Sequence, residues 1–213
     1  MVDVRRAYRL VWAYQRRMLD MVEAIVAAFP ETTHYHWETF VSEGFPRRST
    51  TDPSKSWSWD ALPYYDFSWL RVVTGLDERI RPLAGRWMLQ IRHEADDGWT
   101  EDENGNEHDA RGFAKAENAA SRLSIILWKS ETGGEGTAEW KDIWWAYSDE
   151  WPDSETSPNA IDEDSGLRAL VISRDMAILD TVEDVIAMAH EARRRGREEL
   201  GLDLPELEAQ TTE

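Results

Sequence analysis

Two alternating histidines and a glutamate are the residues of this sequence best placed for metal chemistry. His34, His36 and Glu38 are each separated by one residue, so on a regular β-strand the two imidazoles and the carboxylate project from one face. Such a set could bind a divalent metal ion, and His93 or Glu94 on a neighbouring strand could complete it. The alternative is a partly exposed strand without a ligand. We predict no cofactor and no metal, and keep as the candidates for a metal site His34, His36, Glu38 and His93.

Other catalytic motifs are missing from the sequence. The chain has no cysteine, which excludes disulfides, thiolate nucleophiles, iron–sulfur clusters and cysteine-ligated zinc. It contains no Gly-x-Ser-x-Gly or His-Glu-x-x-His pattern, and the glycine-rich segment 132–137 lacks the Lys-Ser/Thr of a phosphate-binding loop. A Ser–His–acid triad assembled from distant segments stays open, because triads are defined by geometry. The sequence therefore favours a protein that is not an enzyme.

The net charge of −18 is concentrated in three segments. Residues 96–112 carry −6, residues 148–166 carry −7 and residues 201–213 carry −4. A mimic of DNA needs acids spread over a folded face, whereas these fall in predicted turns and a tail. We therefore predict two acidic surface loops and a flexible acidic tail, which oppose anionic partners. The first loop resembles a calcium loop, but its spacing is wrong, and Asn104-Gly105 predicts a hairpin turn instead.

Aromatic residues cluster between residues 57 and 69, where six occur in 13 positions. Such side chains either fill a core or anchor a protein partner. Trp57 and Trp59 lie in a serine-rich context, which favours exposure. Together with the second acidic loop they give our predicted partner-binding residues: Trp57, Trp59, Tyr64, Asp149, Glu150, Asp153 and Glu155. A partner with a basic surface fits these acids.

Residues 3–28 have the apolar spacing of an amphipathic helix that Pro30 ends. At 100° per residue, five arginines share an arc of about 120° on the polar side; they are Arg5, Arg6, Arg9, Arg16 and Arg17. A basic stripe can bind nucleic acid. The alternative is that these arginines pair with the protein's own acidic loops or face water.

Strand-like segments follow at 34–41, 65–73, 86–94, 123–129 and 167–174, and residues 140–147 form a short strand or a helical turn. Thr181 and Asp184 form a capping-box pattern that starts a final helix. No helix-length pattern separates the strands, so the sheet should be antiparallel. We predict an α+β fold in which about five to six antiparallel strands are flanked by a long N-terminal helix and a C-terminal helix. Residues 1–200 form one domain, and residues 201–213 form the flexible tail.

The function that we predict is a non-enzymatic protein-binding module, such as an inhibitor, immunity or accessory protein of prokaryotic or phage-like character. The absence of catalytic motifs, the surplus of tryptophan and the acidic loops favour it. We expect a soluble, cytoplasmic protein, since the chain shows no signal peptide and no apolar span. The alternatives are a small metal-assisted enzyme at the histidines and a nucleic-acid-binding protein that uses the arginine stripe.

Overall fold

The computed structural model describes residues 1–38, 65–74, 81–98, 113–133, 139–146, 159–162 and 166–206. Within these ranges the chain forms three α-helices and six β-strands. In chain order they are α1 (Val2–Ala28), β1 (Thr32–Glu38), β2 (Asp66–Val73), β3 (Trp87–Glu94), β4 (Arg122–Ser130), α2 (Trp140–Ala146), β5 (Asn159–Asp162), β6 (Leu167–Asp175) and α3 (Val182–Leu200).

The six strands form one antiparallel sheet in the order β1-β2-β3-β4-β6-β5. This confirms the predicted α+β fold with a helix at each end of the chain. The strand β4 lies between β3 and β6, and its residues Ile125 and Leu127 are fully buried. A strand that is apolar on both faces is typical of the centre of a covered sheet.

One face of the sheet is covered by α1 and α3. The C-terminal half of α1 and the inner side of α3 pack on β3, β4 and β6 and form the larger core, which includes Met18, Ile25, Leu89, Ile91, Leu127, Leu170, Val185 and Ala189. The helix α3 begins with the predicted capping box, in which Thr181 and Asp184 bond reciprocally. It ends at Gly201, whose φ of 62° is the left-handed conformation that glycine adopts without strain.

The other face of the sheet carries a second apolar core around three tryptophans. Trp128 of β4 and Trp140 and Trp144 of α2 are buried there. Residues 140–146, predicted as a strand or a helical turn, are therefore a helix that lies on this face. No helix within the described ranges has both the length and the apolarity needed to cross a membrane.

The second acidic segment, 148–166, is not wholly a loop. It contains β5, which pairs with β6 at the edge of the sheet. This strand has only four residues, and residues 148–166 have a loop-like, acid-rich composition. Sequence alternation cannot identify a strand this short, because a neighbouring strand can recruit it through backbone hydrogen bonds alone.

The prediction that the chain frays from Gly201 is wrong for residues 201–206. Leu202 and Leu204 are buried in the helix-side core. Arg197 donates to the carbonyl of Leu204 at 3.3 Å, and Arg193 donates to the carbonyl of Pro205 at 2.5 Å. Two alternating leucines and two arginines thus fix a segment whose acidic, proline-containing composition is typical of a free tail. Residues 207–213 lie outside the described residues.

Candidate protein-binding surface

The helix α1 is longer than the sheet that it covers. Its 27 residues span about 40 Å at 1.5 Å per residue, whereas strands of eight or nine residues span about 30 Å. The buried residues of α1 all lie between Met18 and Ala28. Residues 1–13 are all exposed. We call residues 2–13 the α1 overhang.

The α1 overhang exposes large apolar side chains. Tyr8 is 76% exposed, Leu10 72% and Trp12 68%. Isolated exposed apolar residues are common, whereas a contiguous apolar patch usually marks an interaction site. The positions of these residues around the helix decide which case applies.

These side chains continue the apolar side of the buried half of the helix. At 100° per residue, the overhang residues Val4, Ala7, Tyr8, Leu10 and Val11 fall on the same side as Met18, Met21, Val22 and Ile25. We call those five overhang residues the overhang stripe. The same periodicity that buries α1 against the sheet thus runs on for about three turns beyond it. An apolar side of this kind gains stability only when another element covers it.

Tyr14 marks the point where α1 leaves the body. Its hydroxyl lies 2.7 Å from Nε2 of His93, near the end of β3, and 3.4 Å from the sulfur of Met176. Burial raises the pKa of Tyr14, and Ser121 and Arg17 oppose this rise. The overhang stripe therefore begins where α1 leaves the body, and it faces the same side of the helix as the residues that pack on the sheet.

The arginines of α1 are partly engaged within the chain. Arg16 pairs with Asp20 at 2.8 Å, and Arg17 donates to the carbonyl of Leu179 at 2.5 Å. Arg6 pairs with Asp3 at 3.2 Å, where both side chains are exposed. Three of the five arginines are thus engaged within the chain. Their partners are Asp3 and Asp20 of α1 and the carbonyl of Leu179, not the acidic loops named in the alternative to a nucleic-acid site.

A buried ionic cluster on the face opposite α1 was not predicted from the sequence. Arg92 donates to Asp66 at 3.0 Å and to Glu94 at 3.1 Å. Burial raises the pKa of both carboxyl groups, and Arg92 opposes this rise. A carboxyl group with a raised pKa can act as a general acid. Here, however, Asp66 is fully buried and bonded to Arg92, so the arrangement suits a structural ion pair that satisfies buried charges.

Next to this ionic cluster, a chain of hydrogen bonds crosses three strands. Nε1 of Trp128 donates to Oε1 of Gln90 at 2.8 Å, and Nε2 of Gln90 donates to Oγ of Ser68 at 3.0 Å. All three side chains are buried. Each of these buried polar groups thus has a hydrogen-bond partner in place of the water that burial removes. The sequence gives little indication of this chain, because the partners become neighbours only through the register of β2, β3 and β4.

The predicted histidine set does not form as the alternation suggested. The pairing of β1 with β2 shifts register between His34 and His36, so that His34 lies opposite Arg71 and His36 opposite Leu70. Arg71 and Leu70 are consecutive residues of β2, and their side chains point to opposite faces of the sheet. The two imidazoles therefore do not project together. Glu38 pairs with Ser68 in the backbone register.

His93 lies in a different environment from the other two histidines. It is fully buried on the helix side of the sheet, where it contacts Tyr14 with ring centroids 5.5 Å apart. In the part of the chain that the structure describes, no three histidine or acidic side chains are grouped so as to hold a metal ion. The link between His93 and Tyr14 could not be found from spacing, since 79 residues separate them.

The predicted partner-binding residues lie outside the described residues. They are Trp57, Trp59, Tyr64, Asp149, Glu150, Asp153 and Glu155, together with most of the first acidic loop. Their role stays a prediction. At the described end of that loop, Asp97 accepts a hydrogen bond from the backbone of Ala120 and pairs with Arg122 at 3.3 Å.

The fold and this surface define an α+β domain with a projecting amphipathic helix. A family model described as PM0109 matches residues 1–183. The chain therefore belongs to the PM0109 family, and the match includes the α1 overhang and the whole sheet. No curated protein sequence and no solved structure matches the chain.

Proposed function

We propose that this protein is a non-enzymatic protein-binding module that uses the overhang stripe as a contact surface. The observation that carries the proposal is the continuation of the core-facing side of α1 into three exposed turns. The proposal includes the character predicted from the sequence, an inhibitor, immunity or accessory protein of prokaryotic or phage-like origin that acts in the cytoplasm. The lack of cysteine fits a reducing compartment.

The position of the overhang stripe favours a protein segment over a membrane surface or a nucleic acid. A flat membrane cannot approach the stripe closely, because the body of the protein lies on the same side of α1. A nucleic acid would meet an apolar stripe on a molecule of net charge −18, which repels it at long range. A helix or strand of another protein is narrow enough to lie along the stripe, and an amphipathic helix is a common partner of such a surface.

The charge distribution supports a further contact with a basic protein. Residues 1–17 carry five arginines against one aspartate, or +4, which leaves −22 on the remaining residues. A basic partner would be steered toward that part of the chain. In this proposal the acids of residues 149–155 form the rim of the contact, and Trp57, Trp59 and Tyr64 are its apolar anchors.

Photo-crosslinking in cells of the native host tests the proposal for the overhang stripe. A photoreactive phenylalanine analogue is placed at Tyr8, and in a matched control at Trp145 of α2, which is also an exposed aromatic residue. We expect a protein adduct at position 8 that is absent at position 145. If position 8 gives no protein adduct, or if both positions give the same adducts in equal yield, the overhang stripe is not a protein-binding surface.

A further inference from the structure

We propose that a cleft between α1 and the start of α3 binds an acidic peptide segment of a partner protein. The cleft has a volume of about 400 Å³, and its walls include Trp12, Ala13 and Met21 of α1 and Val182 of α3. We call it the α1–α3 cleft. Its wall on α1 faces a different side of that helix from the overhang stripe, so this inference goes beyond the proposed function and does not depend on it.

The α1–α3 cleft suits one large apolar side chain. Met21 is buried, whereas Trp12 and Val182 are exposed. A partner's aromatic or branched side chain in the cleft would cover apolar surface that the single chain leaves in water. The charged groups of the lining balance one another, since they are Arg16, Arg17, Asp20 and Asp180.

A line of arginines runs along α1 to the cleft. At 100° per residue, Arg5, Arg9, Trp12 and Arg16 fall within an arc of about 60°, and all four are exposed. We call Arg5, Arg9 and Arg16 the arginine line. Arg16 pairs with Asp20 at 2.8 Å, whereas no carboxylate among the described residues pairs with Arg5 or Arg9. These two guanidinium groups can therefore bind carboxylates of a partner.

The length of this surface indicates a peptide rather than a small molecule. Arg5 and Arg16 are eleven positions apart, which is about 17 Å along the helix. About five residues of an extended chain cover that distance. The occupant is therefore a segment with one large apolar residue for the cleft and, within about six residues of chain, two acids for Arg5 and Arg9.

The same charges favour a peptide over a nucleic acid. A peptide can carry its carboxylates only where the arginine line needs them, whereas a nucleic acid carries a phosphate at every nucleotide. Bound here, a nucleic acid would bring phosphates close to Asp20 and Asp180, which also line the cleft. It would also be repelled by the net charge of −18 more strongly than a short peptide with two acids.

Selection from a phage-displayed library of random dodecapeptides tests the proposal on the full-length protein. The library is first depleted on Ala13→Phe, which places a ring in the cleft, and is then selected on the wild type. Depletion removes peptides that bind elsewhere, including those on the overhang stripe. We expect the enriched peptides to share one Trp, Phe or Leu and two acids within about six residues. No enrichment, or enriched peptides without this pattern, overturns the inference without bearing on the overhang stripe.

Fluorescence polarisation of a synthetic, fluorescein-labelled copy of an enriched peptide then locates its binding site. Arg9→Glu should raise the dissociation constant at least tenfold. Arg194→Glu makes the same change of charge at an exposed arginine of α3 and should leave the constant unchanged, with circular dichroism confirming that both variants are folded. Equal dissociation constants for the wild type and Arg9→Glu overturn the inference. Tighter binding of labelled oligothymidine, abolished by Arg9→Glu, also overturns it, because the arginine line would then be a nucleic-acid site.

Discussion

The hydroxyl of Tyr14 and Nε2 of His93 lie 2.7 Å apart at the end of the sheet, and this hydrogen bond separates the buried part of α1 from its overhang. Beyond Tyr14 toward the N-terminus all residues of α1 are exposed. Because His93 is fully buried, its ring nitrogen has little access to water. The bond therefore fixes where the helix leaves the body.

Replacing Tyr14 by Phe should lower the free energy of unfolding by about 1–3 kcal/mol. The substitution keeps the ring but removes the hydroxyl from a buried polar partner, whose desolvation is then not compensated. Urea denaturation measures the change. Tyr8→Phe is the control, since Tyr8 is on the exposed overhang, and it should have no effect. Equal stabilities of the wild type and Tyr14→Phe would show that this hydrogen bond does not hold α1 on the body.

The packing of Leu127 against Gly196 predicts that the effect of substituting Gly196 depends on the residue at position 127. Leu127→Ala should cost about 2–5 kcal/mol, because Leu127 is fully buried and the change leaves a cavity. A Cβ at Gly196 of α3 would lie 2.7 Å from Cδ1 of Leu127. Gly196→Ala should therefore recover part of the loss in the Leu127→Ala background but give no gain in the wild type, despite the better helix propensity of alanine. Thermal melts of the four proteins test this, and simple additivity of the two changes would contradict it.

The burial of residues 201–206 makes Leu204 part of the core. Leu204→Ala should lower the free energy of unfolding by about 2–5 kcal/mol, because Leu204 is only 3% exposed. Its exposed neighbour Asp203 is the control, and Asp203→Ala should stay within about 0.5 kcal/mol of the wild type. Chemical denaturation of the two variants measures both changes in the free energy of unfolding. If both behave like the wild type, this segment contributes nothing to stability.

Much of the fold could be predicted because its largest elements have strong periodic patterns. The apolar run of β4 and the amphipathic period of α1 each identify an element and its buried side. The overhang was not predicted, since periodicity shows which side of a helix is apolar but not what covers it. How much of the helix is covered depends on the length of the strands beneath it. A comparison of helix length with strand length would have indicated that α1 extends past the sheet.

His34 and His36 lie on opposite faces of the sheet for a different reason. Alternate residues share a face only on a regular pleat, and the register shift between His34 and His36 interrupts that regularity. A bulge of one residue moves side chains to the opposite face, and neither residue type nor spacing reveals it here. The ionic cluster was missed because Asp66 becomes a neighbour of Arg92 and Glu94 only through the pairing of β2 with β3.

The raised pKa of Tyr35 should make the folded protein less stable at alkaline pH. Burial raises its pKa above the ordinary value of 10.0, and its hydrogen bond to Glu139, 3.0 Å long, raises it further. A group whose pKa is higher in the folded state stabilises the fold below its unfolded pKa and loses that contribution as the pH rises toward the folded pKa. The wild type should therefore lose melting temperature faster than Tyr35→Phe between about pH 10 and 11. Parallel losses in both proteins would show that ionisation of Tyr35 is not linked to unfolding.

The proposed partner binding predicts that substituting the acids and substituting the tryptophans affect different rate constants. Neutralising Asp149, Glu150, Asp153 and Glu155 together should slow association with a basic partner and flatten its salt dependence, because charges at the rim mainly steer the encounter. Trp57→Ala and Trp59→Ala should instead speed dissociation and leave the salt dependence unchanged, as expected of buried anchors.

Surface plasmon resonance against a basic protein that co-purifies with the wild type measures both effects, and circular dichroism verifies that each variant is folded. The matched control neutralises Glu183 and Asp203, exposed acids outside that segment, and should leave both rates unchanged. Unfolding of the tryptophan variants would place those rings in the core rather than at an interface. If the acid variant associates at the wild-type rate in low salt, steering by residues 149–155 is excluded. Contact through the overhang stripe would then be the part of the proposed function that remains, because its evidence comes from α1 alone.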